Sequence, residues 1–314
     1  VVSLAHRPTG APSGGRVVMA SIKRLHWADW LILAVVLSLG AYIWLQLADT
    51  LNYRWRWHLI PHYIIGWHTR REEWFANILL QGLATTARIA IYASILALVF
   101  GVILGLARTS RNLTVRLLAR TYVEFLRNIP PIVAIFIFFF FLSQPLIDVF
   151  GIERWARGIA RSENNEIWEF LFGNMRLFPQ LVAGTLVLAL FESAFVAEIV
   201  RAGIQSVPKG QREGARSIGM NHFQEMWYVV LPQAIRNVLP PLANQFISLI
   251  KDSSIVSLIS VQELTYKTLE LVASTRMIFK SWLLCAVFYF FICFGLSRIF
   301  AKLEQIHSKR TRFE

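Results

Sequence analysis

The chain is poor in charge and in cysteine. Only 16% of its 314 residues are Asp, Glu, Lys or Arg, whereas an ordinary soluble domain carries about 25%. So little polar cover does not suit a soluble chain that is 55% hydrophobic. The same hydrophobic share excludes intrinsic disorder. Two cysteines, Cys285 and Cys293, are too few for a secreted disulfide scaffold. On one predicted helix they stand roughly 12 Å apart, too far to bridge. Chemical signatures are missing as well. There is no G-x-x-x-x-G-K-[ST] phosphate cradle, no G-x-S-x-G and no H-E-x-x-H. No catalytic residue or cofactor cradle is legible, so the chain is not expected to perform chemistry itself.

Acidic residues are the scarcest charges, 19 against 32 Lys and Arg, for a formal charge of +13. What fills the chain instead is apolar and aromatic, with 23 Phe and 11 Trp. An apolar yet basic composition points to a polytopic membrane protein whose cations sit in its loops. Nucleic acid is not an expected partner. The basic stretches are short and flank apolar runs, and no soluble basic domain is present to carry such binding.

A membrane-crossing helix needs about 20 apolar residues. Six spans satisfy this approximately: 30–48, 89–107 with an extension back to Gly82, 128–147, 181–200, 237–258 and 281–297. Four are free of charge. The fourth holds Glu192 and Glu198, and the fifth Lys251 and Asp252. Six spans put both termini on one side. With the N-terminus inside, the inner segments carry 19 Lys and Arg and the outer ones 11. That bias favours cytoplasmic termini, with membrane lipids as neighbours. The stretch to Gly15 has no periodicity and reads as disordered. Val1 opens the chain and Met19 precedes the basic SIKRLHW, so both stay open as start residues. The segment 49–81 gathers Tyr53, Trp55, Trp57, Tyr63, Trp67 and Trp74 among arginines and histidines. Such aromatics settle at headgroup level, so it is expected to lie along the outer membrane face. Within it His58 and His62 are four apart, but Pro61 argues against a regular helix there, and no metal site is expected.

The stretch between the fourth and fifth spans is the most informative. It reads EIVRAGIQSVPKGQREGARSIGMNHFQEMWYVVLPQAIRNVLPPL. Pro208 suits a helix start and Gly210 loosens the first turn, while Gly219 suits a left-handed cap. The result is a helix of two to three turns carrying Arg212, Glu213 and Arg216 on exposed positions, shaped to dock in a partner's cleft. The segment resembles the EAA loop of ABC importer permeases, patterned E-A-A-x3-G-x9-I-x-L-P. Glu213, Ala215, Gly219, Leu231 and Pro232 fall on the pattern, and Gly214 and Val229 depart from it. AEIVRAGIQSVPKGQ, GLATTARIAIYA, YVEFLRNIPP and NQFISLIKDSSIVSLISVQEL are similar to the polar amino acid permeases, those for histidine, glutamine, arginine and opines. Asn128 to Pro131 replaces the usual Gly-Thr-Pro-Leu, and Phe195 the usual Tyr.

The resemblance implies an all-α polytopic membrane protein with the type I ABC importer fold, five core helices plus one N-terminal helix. It divides the chain into a cytoplasmic N-terminus at 1–29, an added helix and aromatic periplasmic segment at 30–79, the permease domain at 80–303 with its coupling loop at 201–232, and a basic cytoplasmic tail at 304–314. It implies an inner-membrane subunit importing polar amino acids. Its partners would be an ABC ATPase dimer, a second permease that is a paralogue or an identical copy, and a periplasmic amino-acid-binding protein. ATP and Mg would belong to the ATPase, and this chain would bind no cofactor. Pro208, Gly210, Arg212, Glu213, Ala215, Arg216 and Gly219 would meet that ATPase. A stand-alone channel or secondary transporter is the alternative, although no repeat halves are visible.

Charges within a membrane are costly and therefore suspect. Glu192, Lys251, Asp252 and Ser253 are the candidates for the substrate pathway, since a zwitterion needs a cation and an anion. The alternative is that Lys251 and Glu192 pair with each other or with the partner subunit. Glu198 and Arg201 are spaced for a local pair, and Glu213 has Arg212 and Arg216 as internal alternatives to a partner contact. Pro240 and Pro241 either kink the fifth span or delay its start. Gly101 and Gly105 form a G-x-x-x-G that favours close helix packing.

Overall fold

A computed structural model describes residues 27–51, 57–68, 72–162 and 165–310. The disordered stretch expected to Gly15, Met19 and His26 lie outside these residues, as do Tyr53 and Trp55. Two compact units are present, one ending at Arg56 and the other starting at Trp57. In the first, helix α1 (Trp27–Leu51) is 25 residues long, or about 38 Å, which exceeds the roughly 30 Å of hydrocarbon. Its apolar side chains from Trp27 to Ile43 are largely exposed.

The second unit opens with more regular structure than a loop. A short turn (Trp57–Leu59) leads into α2 (Ile60–Ile64), then β1 (Ile65–His68) pairs antiparallel with β2 (Glu73–Ala76). Pro61 sits in the first turn of α2, where its missing N–H would be unpaired anyway. It therefore does not forbid a helix, contrary to the expectation drawn from it. Trp67 and Trp74 face each other across the hairpin, with ring centroids 5.0 Å apart in edge contact. The helical chain thus carries one small hairpin.

Asn77 then starts α3 (Ile78–Arg108) by accepting from the Ile78 N–H at 2.7 Å, and its amide donates to the His62 carbonyl. Asn112 likewise caps α4 (Leu113–Asn128), accepting from the N–H groups of Thr114 and Val115. Helix α4 is an amphipathic helix in what the sequence suggested was a loop. Pro131 opens α5 (Pro131–Val149), which is interrupted by a π turn at Phe139–Ser143. Two short helices follow, α6 (Ile152–Ala160) and α7 (Glu166–Phe172), bound into an aromatic cluster of Trp155, Trp168, Phe172 and Phe178. Then come α8 (Phe178–Gln205), α9 (Lys209–Ser217) and α10 (Leu231–Asp252), the last entered through a π turn at Glu225–Val230. A 3-10 stretch (Ser253–Ile259), α11 (Leu264–Thr275) and α12 (Ile278–Arg310) complete the fold.

All six expected spans are helical. Among the described residues, four helices are long and apolar enough to cross a membrane: 78–108, 131–149, 175–205 and 278–305. Helix α10 carries Arg236, Lys251 and Asp252, which lowers its apolarity. It contains Pro240 and Pro241 in its interior, so the prolines do not delay its start. The region between the last two spans was read as a loop but contains α11. That helix lies so close to α3 that a Cβ on Gly82 would stand 2.9 Å from the Leu264 Cα.

Helix α8 is the hub. It is buried nearly all round, as expected of a helix apolar on every face, whereas α12 leaves Phe290, Phe291 and Phe294 exposed. Small residues make its contacts. A Cβ on Gly101 would sit 2.4 Å from Val196 Cγ1, and one on Gly105 2.7 Å from Val200 Cβ. The G-x-x-x-G expected to pack closely does so, against α8. Gly203 takes Val238 of α10 in the same way.

Candidate functional site

The 201–232 segment is built as a stiff projection. Pro208 precedes α9, and Gly219 follows it with φ of 84°, a left-handed conformation that costs glycine nothing. There the Gly219 N–H donates to the Arg216 carbonyl and the Met220 N–H to the Ala215 carbonyl. Side chains lock the helix to its flanks. Arg212 donates to the Ile204 carbonyl at the end of α8, at 2.6 Å. Arg216 donates to both carboxylate oxygens of Glu225, at 2.9 and 3.3 Å, on the run into α10. The Arg216 hydrogen bond holds the Glu225 carboxyl below its usual range, against the opposing effect of burial. Ala215 is buried beneath the helix. Gly210 has open space around it and Glu213 is exposed, with no ion pair among the described residues. The internal Glu213–Arg216 pair weighed from the sequence does not form. Arg216 is taken by Glu225, nine residues on, a partner hidden by the Gly219 turn.

Behind this projection, Glu198 collects more than its expected neighbour. It pairs with Arg201 as the spacing suggested, and also with Arg108 of α3 at 2.5 Å and Arg127 of α4 at 3.6 Å. One carboxylate thus ties the ends of three helices. The two distant arginines carried only a weak signal, each being a basic residue in the last turn of its helix. Beside this tie a cleft of about 570 Å³ is lined by Glu198, Gly203, Ser206, Asn237 and Pro241 among others. Proline at 241 removes the N–H that would donate to the Asn237 carbonyl in a regular helix, and both residues line this cleft.

Deeper in α8, Glu192 is fully buried. Its Oε2 accepts from the Gln245 amide of α10, and Oε1 makes no hydrogen bond of sound geometry. Asp252 lies close enough to act on it electrostatically. The structure therefore brings Glu192 and Asp252 together. Lys251 is exposed and forms no ion pair with Glu192, so the pairing of those two considered from the sequence is not made. Ser253 is buried and donates to the Ile250 carbonyl at 2.7 Å. Gln245 was missed, though an amide inside an apolar helix is itself a signal.

A helical bundle whose apolar helices are long enough to cross a membrane, with a rigid charged projection at one end and buried carboxylates inside, is the architecture of a membrane permease. The chain belongs to the family of binding-protein-dependent transport system inner membrane components, whose pattern matches residues 97–306, and it is an importer permease subunit with amino-acid ABC permeases among its relatives. It is 36% identical to the probable glutamine ABC transporter permease protein GlnM of Bacillus subtilis, over 65% of this chain and 83% of that one. It is 30% identical to the glutamine transport system permease protein GlnP of Escherichia coli K12, over 73% and 92%. A solved amino acid ABC transporter with histidines is similar in fold and sequence, with a TM-score of 0.59 and 32% identity over 73% of this chain and 93% of that one. The type I importer fold expected from the sequence is the fold found.

Proposed function

We propose that this subunit imports polar amino acids, delivered by a separate binding protein outside and driven by a separate ATPase dimer inside. The observation that carries the reading is the anchored helix α9. Arg212 holds it to α8 and Arg216 holds it to the entry of α10, so a push on α9 moves two pathway helices as rigid bodies. Glu213, free of internal pairs, is the contact offered to the ATPase, as a carboxylate partner for a cation there. ATP and Mg bind on that ATPase and this chain holds no cofactor. The pathway is lined by Glu192 and Asp252, with Ser253 beside them and Lys251 facing the second permease. Relatives named for glutamine support the substrate class.

The test is ATP-driven uptake by the reconstituted complex. Deleting residues 208–220 is expected to abolish both ATPase association and uptake. Full ATPase association after that deletion sinks the coupling role. Gradient-driven uptake by the purified chain alone, without ATP, establishes a secondary transporter instead.

A further inference from the structure

The opposite end of the bundle from α9 holds a second polar cavity, of about 480 Å³, within the roughly 300–1,000 Å³ usual for small-molecule sites. Phe136, Phe139 and Phe140 of α5 form its apolar wall, and Asp148 and Arg176 contribute opposite charges. Although they line the same cavity, no ion pair joins Asp148 to Arg176, and neither is paired elsewhere among the described residues. Glu153, the third charged lining group, is already paired with Arg157 at 3.5 Å. Gln180 also lines the cavity, and its Oε1 is buried without a hydrogen-bond partner. A buried acceptor left unpaired calls for a donor from outside the chain. The wall includes the π turn at Phe139–Ser143, a distortion that recurs at functional sites.

Two unpaired charges of opposite sign, an unpaired acceptor and an aromatic wall match one class of ligand. We propose that this cavity is an entry station for a zwitterionic amino acid. Arg176 takes the carboxylate, Asp148 takes the ammonium, and Gln180 Oε1 accepts a further N–H. The proposal rests on the amino acid reading given above and extends it. Gln180 and Glu192 lie on the same helix, and twelve residues of helix place Glu192 about 18 Å further along. The ligand then passes from the mixed-charge station toward the buried Glu192. Stations in series suit transport, because each must bind strongly enough to admit the solute and weakly enough to release it.

The test uses the assembled permease–ATPase complex in proteoliposomes, with L-glutamine, L-arginine and L-histidine as probes. Uptake with the binding protein present first identifies which probe is carried. A Gln144→Cys reporter, with Ser260→Cys as a second, is then labelled by a charged, membrane-impermeant thiol reagent, and labelling of the unsubstituted chain is subtracted. The carried amino acid is expected to slow labelling, and the amine lacking its α-carboxylate is not. Arg176→Gln and Asp148→Asn are expected to raise the concentration needed for protection by roughly tenfold or more, the scale of a lost charged hydrogen bond. Uptake without protection at either reporter overturns the station. So does protection that is unchanged in both charge variants, or equal protection by the amine. If none of the three probes, nor any other of the twenty amino acids, is taken up by the wild-type complex, the amino acid reading itself falls and takes the station with it.

Discussion

Glu225 shows how one carboxylate can set the stiffness of a moving part. It is buried and accepts two hydrogen bonds from Arg216, so its charge is fixed where α9 meets the run into α10. Because its folded pKa is lowered, the stabilisation it gives is complete above the ordinary carboxylate value near 4.3 and is lost as pH falls through the lower folded value. Coupling should therefore be insensitive to this group from about pH 5 upward. Glu225→Gln keeps the shape and removes the charge. Substrate moved per ATP hydrolysed should fall roughly threefold or more, as a charged tie becomes a neutral one, while the ATPase stays bound. An unchanged ratio would show that the tie does not transmit motion. At this scale the sequence was only partly legible. Glu198–Arg201 could be read because partners three apart share a helix face. Arg216–Glu225, Glu198–Arg108 and Glu192–Gln245 could not, because each depends on how separate elements fold together.

Helices were the most legible elements, since apolar length alone reports them. Their ends were less so. Helix α3 runs eleven residues before the uncharged stretch that announced it, to an Asn77 cap, and tolerates Arg88 because its guanidinium reaches the Phe170 carbonyl at 3.1 Å. Helices α4 and α11 escaped notice because both are mixed in character and too polar or too short to suggest a span. The β-hairpin was hidden among aromatics that also suit a membrane surface. The contact between α3 and α8 was legible through its two glycines, and it is also the most vulnerable to added bulk. Gly101→Leu forces a side chain into Val196, and Gly105→Leu into Val200. Each should destabilise by about 1–3 kcal/mol, the usual cost of overpacking. Thermal unfolding in detergent should show this as a lower midpoint for both variants. A Gly40→Leu control, at a site with nothing within 4 Å, should leave the midpoint unchanged. Equal midpoints for all three would mean that the helices separate without cost.

For the whole molecule, the fold and family were legible because one short segment resembles the EAA loop of ABC importer permeases, with Glu213, Ala215, Gly219, Leu231 and Pro232 on its pattern. The cavity near Asp148 and Arg176 was not legible, because its charges come from separate helices and only folding brings them to one space. Orientation links the two ends. Nineteen of the cations fall in the segments assigned to the inner side and eleven in the outer ones. The structure gathers many of the former into ordered arrays, with Arg108, Arg127 and Arg201 around Glu198 and Arg212 and Arg216 on α9. An inner leaflet rich in anionic lipid attracts such a face. The opposite end should then contact the outside solution. Single cysteines at Arg157 of α6 and at Glu213 of α9, introduced separately, test this directly. An impermeant thiol reagent added to intact spheroplasts should label Arg157→Cys, and should reach Glu213→Cys only after lysis. The reverse pattern would invert the molecule, placing α9 out of reach of any ATPase inside and the zwitterion cavity where import ends rather than begins.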